Sequence, residues 1–504
     1  MKRNTKIILG VAIFLVLGII SIIVLNSYLK GEIENALGNE YSSSELSYED
    51  ISINILGGSA VITNLKITEG AFTLESPRVS LDGFSYSDYL SNDNITIGSV
   101  HLQDPKMLVI KSDTTSNKSD EGQDVERLIR VKKFSTSGGS FQMKENDSAD
   151  NSIYASLQTI LIREIVVGKL PENTSLPFKY ETLNFETDSL FYNLNQEHTI
   201  NVDQVNFNDT NLKIKGFLII PKYSREGFDR NVPYEKDWIA LRVDDVHIED
   251  LRWEKSEDDF LIRSPAMEVD NAKLQIYRNK MLPDDTRIKP MYSQMLRDLG
   301  VKLHLEKINI KNANIEYEEN ILESRPPAKL TLQNVSAGIE NLTNYNMEAE
   351  DFPVTSIKAT AQFMGQSNVT INWEFDVSNT MDEFRVSGNL QNLNAEALNP
   401  FLRPAMNIET EGSIESLNYN FYGNRNAAKG DMKLSYRDFK VSVLKDGEAQ
   451  KRSLLSGLAN LILKNDRIDD DVQNESIETT RDKTKSFWNF LWLCIRDGAL
   501  STFF

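Results

Sequence analysis

The stretch KINIKNANIEYEE, Lys307 to Glu319, carries the pattern that decides the fold. It contains two groups of alternating apolar residues around one step of three: Ile308 and Ile310 before the step, and Ala313, Ile315 and Tyr317 after it. Alternation with a period of two is typical of a strand with one buried face. The step of three would move the second half to the other face unless a β-bulge or a two-residue turn restores the phase. We expect a tight turn at Lys311-Asn312, which would pair Ile310 with Ala313.

The same pattern recurs along most of the chain. Further copies begin at Leu65, Val100, Phe134, Leu183, Val205, Met267 and Leu330. The residue before the break is often Asn, Asp or Gly, which tolerate turn conformations, as at Asp104, Gly138, Asp209, Asn271, Asn312 and Asn334. Any β-rich protein matches so loose a template in places, but the number of copies favours a true repeat. The sequence therefore predicts a mainly β fold, with an extended sheet built by repetition and a few short helices.

Composition limits the class of protein. The 504 residues exceed a single ordinary core, so we expect two to four domains or one elongated repeat. The net charge of −19, from 74 acidic and 55 basic residues, argues against nucleic acid as a partner, because phosphate binding needs concentrated Lys and Arg. Cys494 is the single cysteine, which excludes an internal disulfide and a thiolate metal cluster.

The N-terminus predicts a membrane anchor. Residues 7–25 (IILGVAIFLVLGIISIIVL) carry no charge and would span about 28 Å as a helix, close to a hydrocarbon core of about 30 Å. A cleavable signal peptide is the alternative, but its apolar region is usually shorter and no small-x-small cleavage pattern follows. Basic residues lie in 1–6 and acidic ones follow the span, so we expect a cytoplasmic N-terminus and an exported remainder.

The remaining segments are predicted from local patterns. In order they are a membrane-proximal β region (26–110), a polar linker or loop (111–124), β repeats (125–280), a helical insertion (281–300), a second β part (301–444) and a helical C-terminal segment (445–504). Residues 453–465 are expected to form an amphipathic helix.

The tail from Ser486 to Phe504 is strongly apolar. If it is helical, its large side chains cover most of the circumference: Trp488, Phe490, Leu491, Trp492 and Ile495. One interpretation is an amphipathic helix that caps the open end of the sheet. The other is an interfacial segment that touches a membrane or a partner, as Trp-rich amphipathic stretches do.

No catalytic or metal-binding constellation is recognisable, so we expect a protein that is not an enzyme and uses no cofactor or metal. The four histidines, His101, His198, His247 and His304, are far apart and lack ligand spacing. The acidic run Asp469–Asp471 lacks the Gly and distal Glu of a calcium loop. Cys494 lies among aromatic residues and is interpreted as a small buried hydrophobe.

The chain resembles the AsmA-like family of Gram-negative cell envelopes, whose larger relatives include TamB and YhdP. The resemblance lies in an ordered pattern over nearly the whole chain: a single anchor, the opening ISINILGGSAVITNLKI and VHLQDPKMLVI, and the closing LQNLNAEALNPFLRPAMNIETEGSIESLNYNFYG with KGDMKLSYRDFKVSVL. It implies a long, curved sheet folded into an open groove, or taco, similar to that of chorein-type bridge proteins. Such grooves are thought to carry phospholipid acyl chains between inner and outer membranes.

The apolar strand faces must bury themselves against something, and few helices are predicted to cover them. A groove closed by lipid and a sandwich of two sheets are the two solutions. The first predicts an inner-membrane protein, single-pass and with its bulk in the periplasm, that binds phospholipids and contributes to lipid transfer or outer-membrane assembly. Its groove residues would be Ile308, Ile310, Ile315, Tyr317, Leu274, Ile276, Leu212 and Ile214. The second predicts a periplasmic scaffold that binds an envelope protein and no lipid.

Overall fold

The computed structural model describes residues 44–54, 56–92, 94–111, 128–145, 151–167, 178–256, 259–444 and 475–503. The predicted anchor at 7–25, nearly all of the linker at 111–124, the helix at 453–465 and the acidic run Asp469–Asp471 lie outside these residues. Within the described ranges, no helix is both long and apolar enough to cross a membrane.

The prediction of a mainly β fold with few short helices is confirmed. The strands of the N-terminal half are β1 (Ser44–Ser47), β2 (Asp50–Asn54), β3 (Ser59–Glu69), β4 (Phe72–Asp82), β5 (Ile95–Gln103), β6 (Lys106–Lys111), β7 (Ile129–Ser137), β8 (Ser140–Glu145), β9 (Asn151–Val167), β10 (Thr182–Tyr192), β11 (His198–Asn208) and β12 (Asn211–Pro221). Those that follow are β13 (Asp237–Glu249), β14 (Arg252–Ser256), β15 (Asp259–Asn279), β16 (Lys302–Asn320), β17 (Ala328–Thr343), β18 (Thr355–Phe363), β19 (Ser367–Phe375), β20 (Phe384–Asn394), β21 (Ile408–Gly423), β22 (Ala427–Val443) and β23 (Glu475–Thr480). The helices are α1 (Tyr86–Asn92), α2 (Arg225–Asn231), α3 (Tyr292–Arg297), a 3-10 turn (Ala395–Leu398), α4 (Asn399–Met406) and α5 (Phe487–Phe503).

The chain forms two compact units, and the division falls inside β12. The first unit is Met1–Phe217 with Leu251–Phe260, and the second is Leu218–Asp250 with Leu261–Phe504. Each unit is built around strands that pair mostly with their neighbours in sequence.

In the first unit, sharp corners separate β5 from β6 and β7 from β8, while the strands beside them run on without a break. The chain turns at Asp104 between β5 and β6, and at Gly138 and Gly139 between β7 and β8, while β4 and β9 continue past these corners. Both glycines have positive φ, and a Cβ on Gly139 would lie 2.5 Å from the backbone carbonyl oxygen of Pro105. Only glycine leaves room for the two corners to lie side by side.

The first unit buries its apolar face almost completely along β3 to β9. The side chains of Val79, Val100, Val131 and Ile165 have no exposed surface, and all belong to one core contributed by β3 to β9. Of the two alternatives predicted from the sequence, this region therefore resembles the one in which apolar strand faces bury each other without a ligand.

In the second unit, β15 and β16 are parallel, while β13 pairs with β15 and the series β16 to β23 is antiparallel throughout. The parallel pair requires a connection that returns to the other end of the sheet. Residues 280–301, which contain α3, supply it. The helix predicted within 281–300 is thus confined to Tyr292–Arg297.

The expected tight turn at Lys311-Asn312 is wrong. Strand β16 runs without interruption from Lys302 to Asn320, and Ile310 pairs with Ala337 of β17 rather than with Ala313. A β-bulge restores the phase instead: Asn312 has φ 55°, and the register shifts on both sides of Ala313. This bulge places only Asn312 in the left-handed region, and the two halves of β16 stay paired with the neighbouring strands. A hairpin at this point would have broken β16 into two strands.

Asn312 is expected to matter for this bulge. Asn312→Ala should lower the free energy of unfolding of the second unit by about 1 kcal/mol, because a left-handed conformation is costly for residues with a Cβ and Asn tolerates it best. Asn312→Gly should be close to neutral. Urea unfolding would measure both, with Asn309→Ala as the control at a position of ordinary strand geometry. An equal loss in Asn309→Ala and Asn312→Ala would contradict the role of the bulge.

Candidate functional site

One face of β13, β15, β16 and β17 is apolar along most of its length. The bulges are aligned, with left-handed residues at Asn271, Asn312 and Asn334 of three consecutive strands, so every strand changes phase at the same level. Cross-strand neighbours share a face, and the apolar rows are Ile239–Ile276–Tyr317–Leu330, Leu241–Leu274–Ile315–Leu332, Val246–Val269–Ile310–Ala337 and Ile248–Met267–Ile308–Ile339, with the pairs Val243–Ala272 and Ala313–Val335 at the level of the bulges. We call this surface the apolar face.

The apolar face is only partly covered. Ile308 and Ala313 are buried, but Ile310, Ile315, Tyr317, Leu274 and Ile276 each keep part of their surface accessible. Equivalent positions in β3 to β9 of the first unit are shielded almost entirely. Rows of apolar side chains that remain partly accessible are a feature of binding surfaces.

A cavity of about 560 Å³ opens on this face. Its lining includes Leu241, Leu274, Ile315 and Leu332 of the apolar rows and residues 218–221 at the end of β12, together with polar neighbours such as Arg242, Lys273 and Glu316. Its volume falls within the range of about 300–1,000 Å³ usual for ligand sites. The apolar part of this lining suits a hydrocarbon ligand.

The structure brings together six of the eight predicted groove residues. Ile308, Ile310, Ile315, Tyr317, Leu274 and Ile276 lie on the apolar face. Leu212 and Ile214 belong to the part of β12 in the first unit, and both are half-buried there.

The sequence reading missed β13. Its residues Ile239, Leu241, Val243, Val246 and Ile248 show the same step of three, between Val243 and Val246. The alternating pattern of β13 is hard to recognise for two reasons. Its step of three contains two aspartates, Asp244 and Asp245, and Trp238, next to Ile239, belongs to the opposite face.

The apolar face ends in polar groups at the carboxyl ends of β15 and β16. Arg278 donates from Nε and a terminal nitrogen to the two carboxylate oxygens of Asp237, both at 2.7 Å. Burial by itself would lower the pKa of Arg278, but these bonds raise it overall. Tyr317 donates its hydroxyl hydrogen to Glu319, and burial, with that carboxylate second, raises the Tyr317 pKa. An apolar body with a polar end is complementary to an amphiphile.

At β19 to β22 the same face is covered by the C-terminal helix. The row through Ile308 and Ile339 continues to Ile357 and Trp373. Phe487 of α5 stacks on the Trp373 ring, with centroids 4.6 Å apart and an angle of 8° between the planes. Helix α5 therefore occupies a continuation of the apolar face.

Helix α5 has one buried and one exposed side. Phe490, Leu491 and Cys494 are buried against the sheet, and Ile495 is half-buried. Trp488 and Trp492 remain 51% and 40% exposed. The tail thus packs as a cap on the sheet with one side and presents two tryptophans with the other.

A buried carboxylate anchors the segment that precedes α5. Glu235, only 6% exposed, accepts hydrogen bonds from Lys280 and Lys485, each at 2.6 Å, and Lys485 also contacts Asp284 at 2.9 Å. Burial alone would raise the pKa of Glu235, but the two lysines lower it overall. A charge buried in this way is stabilised only while both partners stay in place.

Glu235→Gln is expected to lower the free energy of unfolding by about 1–3 kcal/mol at neutral pH, since hydrogen bonds to a charged group are lost. Because the folded state lowers the pKa of Glu235, its contribution is present above the unfolded value of about 4.3 and is lost as the pH falls through the folded value. Urea unfolding at neutral and acidic pH should show the difference between wild type and variant shrinking in acid. Asp284→Asn, at an exposed partner of the same Lys485, is the control and should change stability by less than about 0.5 kcal/mol. A difference that persists in acid would contradict the assignment.

The described part of the chain holds no group of three or more His, Cys, Asp or Glu side chains placed to bind a metal. His101 lies between two serine hydroxyls, 3.0 Å from Ser135 Oγ and 3.2 Å from Ser137 Oγ. His304 is 3.2 Å from Thr343 Oγ1. Burial raises the pKa of the Cys494 thiol to about 11, which makes it a poor nucleophile.

A scan against protein-family models finds none that matches this chain, and a search of curated proteins likewise finds no similar sequence.

Proposed function

We propose that the apolar face of the second unit binds the acyl chains of phospholipids. The observation that carries the proposal is the set of aligned apolar rows on β13, β15, β16 and β17, which are partly accessible around a cavity of about 560 Å³. An accessible apolar surface of this kind gains free energy of about 25 cal/mol for each Å² that a hydrocarbon chain covers. The polar end at Arg278 and Tyr317 suits the headgroup side of such a ligand.

The protein that this proposal describes is a non-enzymatic member of the AsmA-like class, anchored in the inner membrane by residues 7–25 with its bulk in the periplasm. It contributes to phospholipid transfer between membranes or to outer-membrane assembly. The resemblance of the opening and closing segments to that family and the uncharged N-terminal stretch support this assignment. The elongated, curved groove of that class is part of the proposal.

A periplasmic scaffold without lipid cargo is the second candidate. The closed core of the first unit favours it, because Val79, Val100 and Val131 have no exposed surface and leave no room for a ligand. In the lipid-binding proposal, that unit is a structural element and the cargo is confined to the second unit.

Site-specific photocrosslinking tests the proposal. A photoreactive amino acid at Ile310 or Ile315, in full-length protein purified from cells under mild conditions, should form adducts with phospholipid that mass spectrometry identifies. The matched control is Asn309, which neighbours Ile310 in sequence but points to the opposite face. Lipid-free protein, or equal adducts at inward and outward positions, would favour the scaffold.

A further inference from the structure

Helices α3 and α5, with the residues just after α3, expose a set of large apolar side chains in the second unit. The set, here called the outer aromatic patch, consists of Tyr292, Met295, Leu299, Trp488 and Trp492. Met295 and Trp488 are 50% and 51% exposed, and the remaining three are between 36% and 43% exposed. Tyr292 and Met295 are spaced to lie on one side of α3, and Leu299 follows shortly after the helix ends at Arg297.

The patch is held rigidly. The Trp488 indole N–H donates to the Tyr292 hydroxyl at 2.9 Å and joins the two helices. Behind it, Ser293 and Arg297 of α3 donate to the fully buried Asp382 at 2.9 and 2.7 Å. A surface that is exposed, apolar and fixed by buried polar contacts is suited to docking, because few side chains need to be ordered on binding.

We propose that the outer aromatic patch docks onto the surface of a phospholipid bilayer. Trp and Tyr concentrate at membrane–water interfaces, where the apolar ring is buried and the polar tip stays hydrated. Met295 and Leu299 add side chains without a polar group that would enter the acyl boundary.

The local charge agrees with a lipid surface. Residues 280–299 and 481–497 together contain eight basic and five acidic residues, whereas the whole chain has 55 basic and 74 acidic. Counting Glu235 and Asp382, which contact basic side chains of these segments, leaves the region close to neutral. An anionic leaflet repels most of this protein but not this region.

The patch is also continuous with the apolar face, and this argument rests on the proposed function. The Tyr292 ring packs edge-on against Trp373 at 5.3 Å, and Trp373 lies in the row that leads to Ile339 and Ile308. A bilayer docked on the patch would thus adjoin the surface that is proposed to receive its lipids.

An environment-sensitive fluorophore reports docking at a single position. Met295→Cys in the full chain, kept soluble by an amphipathic polymer, would be labelled selectively, because the native Cys494 is buried and its thiol pKa is raised to about 11. With vesicles of phosphatidylcholine and phosphatidylglycerol, the label should shift to the blue and lose its fluorescence when brominated lipids are included. Tyr422→Cys, at a residue 54% exposed that lies outside the patch, is the matched control and should show neither change.

Two further variants separate docking from general adsorption. Leu299→Ser should weaken quenching at position 295, and Val354→Ser, at a residue with 46% exposure outside the patch, should not. Absence of quenching at 295, or equal quenching at 295 and 422, would overturn the proposal and reassign the patch to a protein partner. Lipid adducts at Ile315, measured in the same samples, keep the two proposals distinct. Adducts at Ile315 without quenching at position 295 would reject membrane docking but not lipid binding by the apolar face. Quenching at position 295 without adducts at Ile315 would reject lipid binding by the apolar face but not membrane docking.

Discussion

Leu274→Asp is expected to remove at least about nine-tenths of the bound phospholipid while the protein stays folded. Leu274 lines the cavity between Leu241 and Ile315, and it is half-buried. A carboxylate there remains hydrated in the lipid-free protein, so we expect a loss of stability below about 1.5 kcal/mol. The same carboxylate opposes the entry of a hydrocarbon chain, which would displace its water. A loss of about 1.4 kcal/mol in the free energy of binding already lowers the affinity for lipid tenfold.

The matched variant is Val131→Asp in the first unit. Val131 has no exposed surface and pairs with Ile165, which is equally buried. An unpaired carboxylate at this position is expected to cost more than about 4 kcal/mol and to unfold the unit. Thermal unfolding and lipid extraction on both variants provide the comparison. If the two substitutions unfolded the protein to a similar extent, the apolar face would be as dry as the core of the first unit. A scaffold without lipid cargo would then be the better supported function.

Phe490→Ala is the second substitution with a large expected effect, about 3–5 kcal/mol of destabilisation of the second unit. Phe490 is 1% exposed, and its ring lies edge-on to Phe384 of β20, with centroids 6.0 Å apart. Removing the ring leaves a cavity between α5 and the sheet that neighbouring strands, held by their hydrogen bonds, cannot fill. Urea unfolding followed by tryptophan fluorescence would measure the change, because Trp373 and Trp488 lie in this cluster.

Trp492→Ala serves as the control on the same helix. Trp492 is 40% exposed and touches Phe401 at a centroid distance of 6.1 Å, so its loss should cost about 1 kcal/mol. If Phe490→Ala were as mild as Trp492→Ala, α5 would not be an integral part of the core. The apolar face would then continue uncovered as far as β22.

Much of the fold follows from sequence periodicity. Alternation with a step of three in residues 307–319, 267–276 and 330–339 predicted one-faced strands, and all three segments are strands with their apolar residues on one face. The signal is strong because the side chains of a strand alternate strictly, so burial of one face leaves a visible period of two. The same reasoning brought six of the predicted groove residues onto a single surface.

The nature of the phase break was decided by the tertiary structure. Asp104, Gly138 and Asn312 look alike in sequence, yet the first two form corners between strands and the third forms a bulge within one strand. All three adopt positive φ, which is a local preference. Whether the chain turns or continues depends on the partners available across the ladder, and these are distant in sequence.

The sequence by itself determined that this chain is mainly β, with one-faced strands and an apolar helix at its C-terminus, because these features depend on local spacing and side-chain type. Only the tertiary structure decided which apolar faces are dry. Val131 and Ile315 are equally apolar members of alternating strands, but the first is sealed within its own unit and the second borders an open cavity. Burial of a strand face depends on which other elements pack over it, such as α5 on Trp373. That packing is a property of contacts between residues far apart in the chain, which periodicity does not encode.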